Sequence, residues 1–235
     1  MAPPPPTPVA PPKKLTLYTN HLSPNGLKVS IYLEELKAAD PTAFEYDLHR
    51  IDLQKGENKE PSFIAMNPNG RIPVLVDHSR DDFAIFESAA ILLYLEQNYD
   101  TKKRFSFDAQ KQPKDYSSML QWIFFAHAGL GPMQSQAHFF RHYSPEDVPY
   151  AKKRYHDETK RLYRVLDIAL TDRDWLVGPG RGRFTIADAN ALPWIRLHTR
   201  AGIETLNAWP NLQSWYARII ERPAIKDAIQ SVALT

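Results

Sequence analysis

The chain has 235 residues, enough for one large domain or two small ones, and its 43% apolar share can build a sizeable core, which excludes chain-wide disorder. Against 29 Lys+Arg stand 27 Asp+Glu, and a net charge of +2 gives no electrostatic footprint for nucleic acid. There is no cysteine, so disulfide scaffolds, thiolate zinc sites and a cysteine nucleophile are excluded together, and any thiol chemistry must use a thiol carried by a small molecule.

In chain order, residues 1–12 hold the prolines Pro3 to Pro6, Pro8, Pro11 and Pro12 and read as a mobile polyproline II extension, with an SH3-type ligand as the other reading. Residues 15–19, LTLYT, alternate as a strand does. Ser23-Pro24-Asn25-Gly26 supplies a loop and a helix start, and Leu27, Ile31 and Leu36 continue it as a helical face. A second strand is expected over 44–51, a loop over 52–60 and a short helical turn over 61–66. The turn Asn67-Pro68-Asn69-Gly70 leads into a proline-opened strand at 72–77, whose hairpin partner is 83–86, and a helix follows over 87–99. The order β-α-β-α-β-β-α is an α/β module.

Beyond Tyr99 the texture changes. Residues 101–114 are polar and basic and read as a linker; from Tyr116 onward only helices are expected, including 149–170, 186–200, 210–221 and a short one after Pro223. Residues 121–126, QWIFFA, are apolar almost all round, so that helix needs cover on more than one side, by the core and by a second subunit. The predicted division is a tail at 1–14, an α/β domain at 15–100, a linker at 101–114 and an all-helical domain at 115–235. No apolar run reaches the ~18 residues of a membrane span, the N-terminus lacks the apolar segment of a secretory signal, and no glycosylation sequon occurs, so a cytoplasmic protein with no membrane partner is expected.

Several positions carry candidate chemistry, each beside a plainer reading. Phe184-Thr185-Ile186-Ala187-Asp188 is a capping box that folds a helix and touches no substrate. Ile72-Pro73 either opens an edge strand as an ordinary trans proline or adopts a cis bond that turns the Ile72 backbone toward an extended peptide. Glu87-Ser88 is either a simple helix start or a carboxylate site at a helix N-terminus, with Glu87 matching an α-ammonium, together an amino-acid head group. Ser23 and Asn25 are either cap and turn residues or donors converging on a bound anion. His138 and His142 share a helical face, but no carboxylate lies between them and a metal is not expected. The glycine-rich segment 178–182 follows no strand and precedes no Lys-Ser/Thr, so it is a loop and not a phosphate cradle.

Taken in order, a β-α-β-α-β-β-α module with a proline-opened third strand, Glu-Ser at its last helix and a helical domain with a Thr-Ile-Ala-Asp box resembles a cytosolic glutathione transferase, from Leu15 to the C-terminus. Ser23-Pro24-Asn25-Gly26, Asn67-Pro68-Asn69-Gly70-Arg71-Ile72-Pro73 and Gly129-Leu130-Gly131-Pro132-Met133 are similar to the nu class and to the fungal nitrogen-regulator-like (Ure-type) transferases. The resemblance implies a thioredoxin-like N-terminal domain, a homodimer, and glutathione as co-substrate. It also implies that Pro73 is cis and Ile72 pairs with the cysteinyl unit, that Glu87 and Ser88 hold the γ-glutamyl head, that Asn58 and Arg71 lie along the tripeptide, and that Arg154 reaches a second glutathione. Ser23 and Asn25 would face the sulfur, while Tyr18 lies inside the first strand and is given no catalytic part. Trp122, Phe139 and Arg141 are candidates for the second-substrate pocket.

The chemical task is then thiol activation. A free thiol has a pKa of ~8.5 and only the thiolate attacks; lowering it by ~2 units takes about 2.7 kcal/mol of preferential thiolate stabilisation, within reach of the Ser23 hydroxyl, the Asn25 amide and a helix N-terminus acting as fixed donors. The expected activity is disulfide reduction, conjugation to a small electrophile, or both; the alternative is a non-catalytic ligand-binding or regulatory scaffold of the same fold.

Overall fold

The computed structural model describes residues 14–41 and 44–234, so the proline tract expected to form an extended tail lies outside the described residues. The α/β part runs β1 (Leu15–Thr19), α1 (Pro24–Ala39), β2 (Tyr46–Arg50), α2 (Pro61–Met66), β3 (Val74–Asp77), β4 (Phe83–Phe86) and α3 (Ser88–Asn98). Six helices follow: α4 (Pro113–Phe124), α5 (Gly131–His142), α6 (Pro149–Ala169), α7 (Ile186–Arg196), α8 (Pro210–Ile219) and α9 (Pro223–Leu234). The chain is thus a thioredoxin-like domain joined to a helical one, as the resemblance implies.

The sheet order is β2-β1-β3-β4, with β1 parallel to β2 and antiparallel to β3, and β3 antiparallel to β4. Alternation along β3 divides its two faces: Leu75 joins Leu15, Leu17 and the helices in the main core, whereas Val74 and Val76 pack with Phe63 of α2 on the other side. α1 is buried from Gly26 to Leu36 because it packs against α3 on one side and α7 and α9 on the other. That is why polar residues on it need partners. Tyr46 donates to Glu34 at 2.7 Å, and Arg222 before α9 grips Glu35 with two bonds of 2.6 and 2.8 Å.

The segment expected as a linker is packed. Asp100 accepts from the Arg104 and Phe105 N–H groups, Phe105 and Phe107 are buried, and Arg183 donates to the Ser106 carbonyl. Its last two residues already belong to α4. The 186–200 helix is shorter than its periodicity implies, ending at Arg196 with a separate 3-10 turn at His198–Ala201. The capping box is present: Thr185 N–H donates to the Asp188 carboxylate at 3.0 Å, and that buried carboxylate also accepts from Leu176 N–H and Trp215 Nε1. The 178–182 loop is held from within, Arg173 donating to the Gly178 and Gly180 carbonyls. Among the described residues no helix is long and apolar enough to cross a membrane.

Candidate active site

One wall of the main cavity is built by loops of the α/β part. Ser23 caps α1, its hydroxyl accepting from Gly26 N–H at 3.0 Å. A Cβ on Gly26 would lie 1.7 Å from Thr19 Oγ1, so glycine is what lets α1 close on the end of β1 and bring half-buried Asn25 to the cavity. The turn after α2 is fastened by Asn67, which accepts from Asn69 N–H at 3.0 Å and donates to the Arg71 carbonyl at 2.6 Å. It delivers Asn69, Arg71, Ile72 and Pro73 to the same cavity, and the Ile72–Pro73 bond is cis. Between β4 and α3, Glu87 adopts φ of +67°, a region costly for a side-chain-bearing residue, and Ser88 follows as the first helical residue.

The opposite wall comes from the helical part. Between α4 and α5 the chain makes a π-helical turn, Phe125–Leu130, of the kind that widens a helix to redirect side chains. It presents His127, and α5 then contributes Gly131, Pro132, Met133, Ser135 and Gln136. A Cβ on Gly131 would sit 2.9 Å from Trp194 Nε1, so the glycine allows α5 to approach α7 closely. Tyr155 of α6, stacked on Phe140, and Trp194 complete a cavity of about 740 Å³. That lies within the usual range for small-molecule sites.

Polar groups in this cavity lack partners. Ser88 Oγ, His127 Nδ1 and Trp194 Nε1 are buried without a hydrogen-bond partner among the described residues. Such groups are rare in a folded interior, and these three residues line one cavity. His127 Nε2 lies 3.2 Å from Glu87 Oε2. Burial, and then the charge of Lys28, push the His127 pKa down, with Glu87 opposing. Lys28, one turn beyond Asn25 on α1, is 1% exposed; burial lowers its pKa to about 7 against the pull of Glu87.

Of the residues expected here, Asn25, Arg71, Ile72, Pro73, Glu87 and Ser88 come together in the cavity lining. Ser23 stands beside it as the cap of α1. Asn58 does not line it: its amide donates to the Gly70 carbonyl at 2.7 Å and supports the turn from behind. Arg154 lies in a separate groove of about 390 Å³ along α6, with Tyr150, Lys153, Asp157, Glu158 and Arg161. None of the three residues expected at a second-substrate pocket lines this cavity. Trp122 packs edge-on against Phe125 at the core, Phe139 is exposed and edge-on to Phe140, and Arg141 lies against Gly202. Arg141 falls on the side of α5 opposite Pro132 and Gln136, whereas Phe139, three residues beyond Gln136, shares their face one turn further along and does not line the cavity. Tyr18 is also absent from the lining and packs on His49.

Lys28, His127, Met133, Gln136, Tyr155 and Trp194 were not anticipated. Lys28 had one signal, a cation embedded in the apolar stretch Leu27, Val29, Ile31 of a buried helix. Trp194 and Tyr155 had none, since their place depends on how the helices pack. Among the described residues no group of three or more His, Asp or Glu side chains could hold a metal ion, and His142 instead contacts the Arg200 carbonyl at 3.0 Å.

Comparison with known proteins bears on this geometry. The family models described as "Glutathione S-transferase, N-terminal domain" and "Glutathione S-transferase, C-terminal domain" match residues 13–97 and 130–223. The chain is 38% identical over 216 residues to the disulfide-bond oxidoreductase YfcG of Escherichia coli (strain K12), spanning 90% of this chain and 93% of that one. The crystal structure of the glutathione transferase URE2P6 from Phanerochaete chrysosporium, in complex with oxidized glutathione, superposes with a TM-score of 0.85 at 38% identity over 94% of this chain and 97% of its own. A glutathione transferase homolog from Lodderomyces elongisporus, with two GSH per subunit, gives 0.84 at 35% identity over 93% and 99%. With both halves of the family matched and the same fold over nearly the whole length, the chain belongs to the glutathione S-transferase family.

Proposed function

We propose that the cavity binds glutathione and uses its thiolate for disulfide reduction, conjugation to small electrophiles, or both. The observation that carries this reading is the buried, partnerless Ser88 hydroxyl at the N-terminus of α3, beside the Glu87 carboxylate. A helix N-terminus with a free hydroxyl receives a carboxylate, and Glu87 receives an ammonium, which together match the γ-glutamyl head. Ile72 and Arg71 then lie along the peptide, and the Asn25 amide faces the sulfur, with Ser23 contributing from the cap position. Neither residue is a base. They act as fixed donors that favour the thiolate over the thiol.

In disulfide reduction the thiolate of one glutathione attacks a sulfur of the substrate, the S–S bond breaks, and the departing thiolate takes up a proton. A second glutathione thiolate attacks the mixed disulfide, releasing oxidised glutathione and the second substrate thiol. No protein cysteine takes part, in keeping with a chain that has none. The relative named a disulfide-bond oxidoreductase and the neighbour with two GSH per subunit favour this route for the second substrate. Conjugation uses the same thiolate against a carbon bearing a leaving halide. The protein works in the cytoplasm, as a homodimer: Phe124 on α4 is exposed while its neighbour Ile123 is buried, leaving an aromatic ring for a partner copy to cover.

The test is the initial rate of glutathione-dependent reduction of a small disulfide, run beside conjugation of a chloronitrobenzene on one preparation. Fast disulfide turnover with weak conjugation is expected. Glutathione binding with neither activity would favour a non-catalytic scaffold of the same fold.

A further inference from the structure

Lys28 is buried where burial is costly. It is 1% exposed, lines the cavity, and sits on the same face of α1 as Asn25, three residues along. Glu87, whose charge acts on Lys28, gives its oxygen to His127 at 3.2 Å, and no carboxylate among the described residues forms an ion pair with the Lys28 ammonium. A buried lysine without a partner is expected to destabilise the fold unless a ligand uses it. Arg71, which lines the same cavity, is exposed and screened by solvent.

We propose that Lys28 is the built-in countercharge for glutathione, a buried positioning cation whose protonation sets how tightly the cavity holds the tripeptide. The inference rests on the glutathione reading above. Glutathione has two carboxylates and one ammonium, a net charge of −1, and its thiolate adds another. With Glu87 matched to the ammonium, the remaining negative charge falls to cations of the cavity, and a desolvated ammonium acts more strongly than an exposed guanidinium. The charged and titratable groups that face Lys28 are Glu87, at the start of α3, and His127, from the turn before α5. Burial and the charge of Lys28 push the His127 pKa down, which disfavours a second cation beside Lys28.

A pH signature follows. In the free protein Lys28 titrates near 7, and the ligand's negative charge raises that value. Below the free pKa, both states hold the proton and affinity is constant. Above it, binding takes up a proton, and affinity falls by up to ~10-fold per pH unit until the bound pKa is reached.

The experiment is calorimetric binding of S-methylglutathione, which has no thiol to titrate, across pH and in buffers of different ionisation heat. The wild-type chain is expected to take up protons above pH ~7 as its affinity declines. Lys28→Met is expected to bind at least ~10-fold more weakly at low pH, without the decline. Lys28→Arg, which cannot lose its charge, is expected to bind well with no decline, and serves where Lys28→Met fails to fold. A Lys28→Arg variant with the wild-type pH dependence, or a folded Lys28→Met with wild-type affinity and slope, overturns the proposal. Failure of the wild type to bind S-methylglutathione at any pH overturns the glutathione reading itself, a result distinct from either variant's.

Discussion

Ser88 carries its hydroxyl into the cavity without a partner among the described residues, so Ser88→Ala removes no hydrogen bond among them. The melting temperature is expected to hold or rise, while loss of a hydrogen bond to a charged ligand group, about 1.5–3 kcal/mol, weakens glutathione binding roughly 10- to 100-fold. Thermal melts beside binding titrations check both halves. Asn25 and Ser23 part in a similar way. Asn25 makes no side-chain hydrogen bond within the described residues, so Asn25→Ala is expected to leave stability intact and reduce turnover more than ~10-fold. Ser23 caps α1, so Ser23→Ala is expected to cost about 1 kcal/mol of stability in denaturant unfolding, in addition to whatever it takes from the rate.

At the scale of the element, α7 is anchored by one carboxylate. Asp188 is buried and accepts from Thr185 N–H, Leu176 N–H and Trp215 Nε1, tying the helix start to the preceding loop and to α8. Burial raises its pKa, with the Trp215 bond the first of those opposing. Asp188→Ala takes the acceptor from these three buried N–H groups and from the Thr185 hydroxyl, and is expected to destabilise the chain by about 3–5 kcal/mol, with the urea midpoint shifted accordingly. That box was legible because its signals lie within four residues of one another. Helix starts were legible for the same reason: Pro24, Pro61, Pro149, Pro210 and Pro223 each stand first in a helix. In the wall made from turns and caps, local pattern marks Asn25, Ile72-Pro73 and Glu87-Ser88 but leaves each open between a plain structural reading and a ligand, and it is the family resemblance that joins them, with Arg71, into one site. The opposite wall could not. The π-helical turn at Phe125–Leu130 has no compositional mark, and together with the packing of α5, α6 and α7 it decides that Met133, Gln136, Tyr155 and Trp194 line the cavity while Trp122, Phe139 and Arg141 do not. Lys28 was hidden by apolar neighbours that read as core, which they are.

At the scale of the whole molecule, α1 is the shared part. It lies against α3 of its own domain and α7 and α9 of the other, and the Glu35–Arg222 pair fastens it to the C-terminal end. The cavity lies between the two sets of elements, so neither alone completes it. Assembly extends the same logic to a second copy: sedimentation at micromolar concentration is expected to give a dimer mass, and Phe124→Ser to shift it toward monomer, because the exposed ring loses its apolar contact. On this reading the cavity turns a glutathione thiol into a thiolate with fixed donors and no protein thiol. The ultraviolet thiolate absorbance of bound glutathione, titrated against pH, is the decisive measurement. An apparent pKa ~2 units below the free value of ~8.5 is expected, returning toward it in Asn25→Ala. A bound thiol that titrates at its ordinary value in the wild-type protein would contradict it.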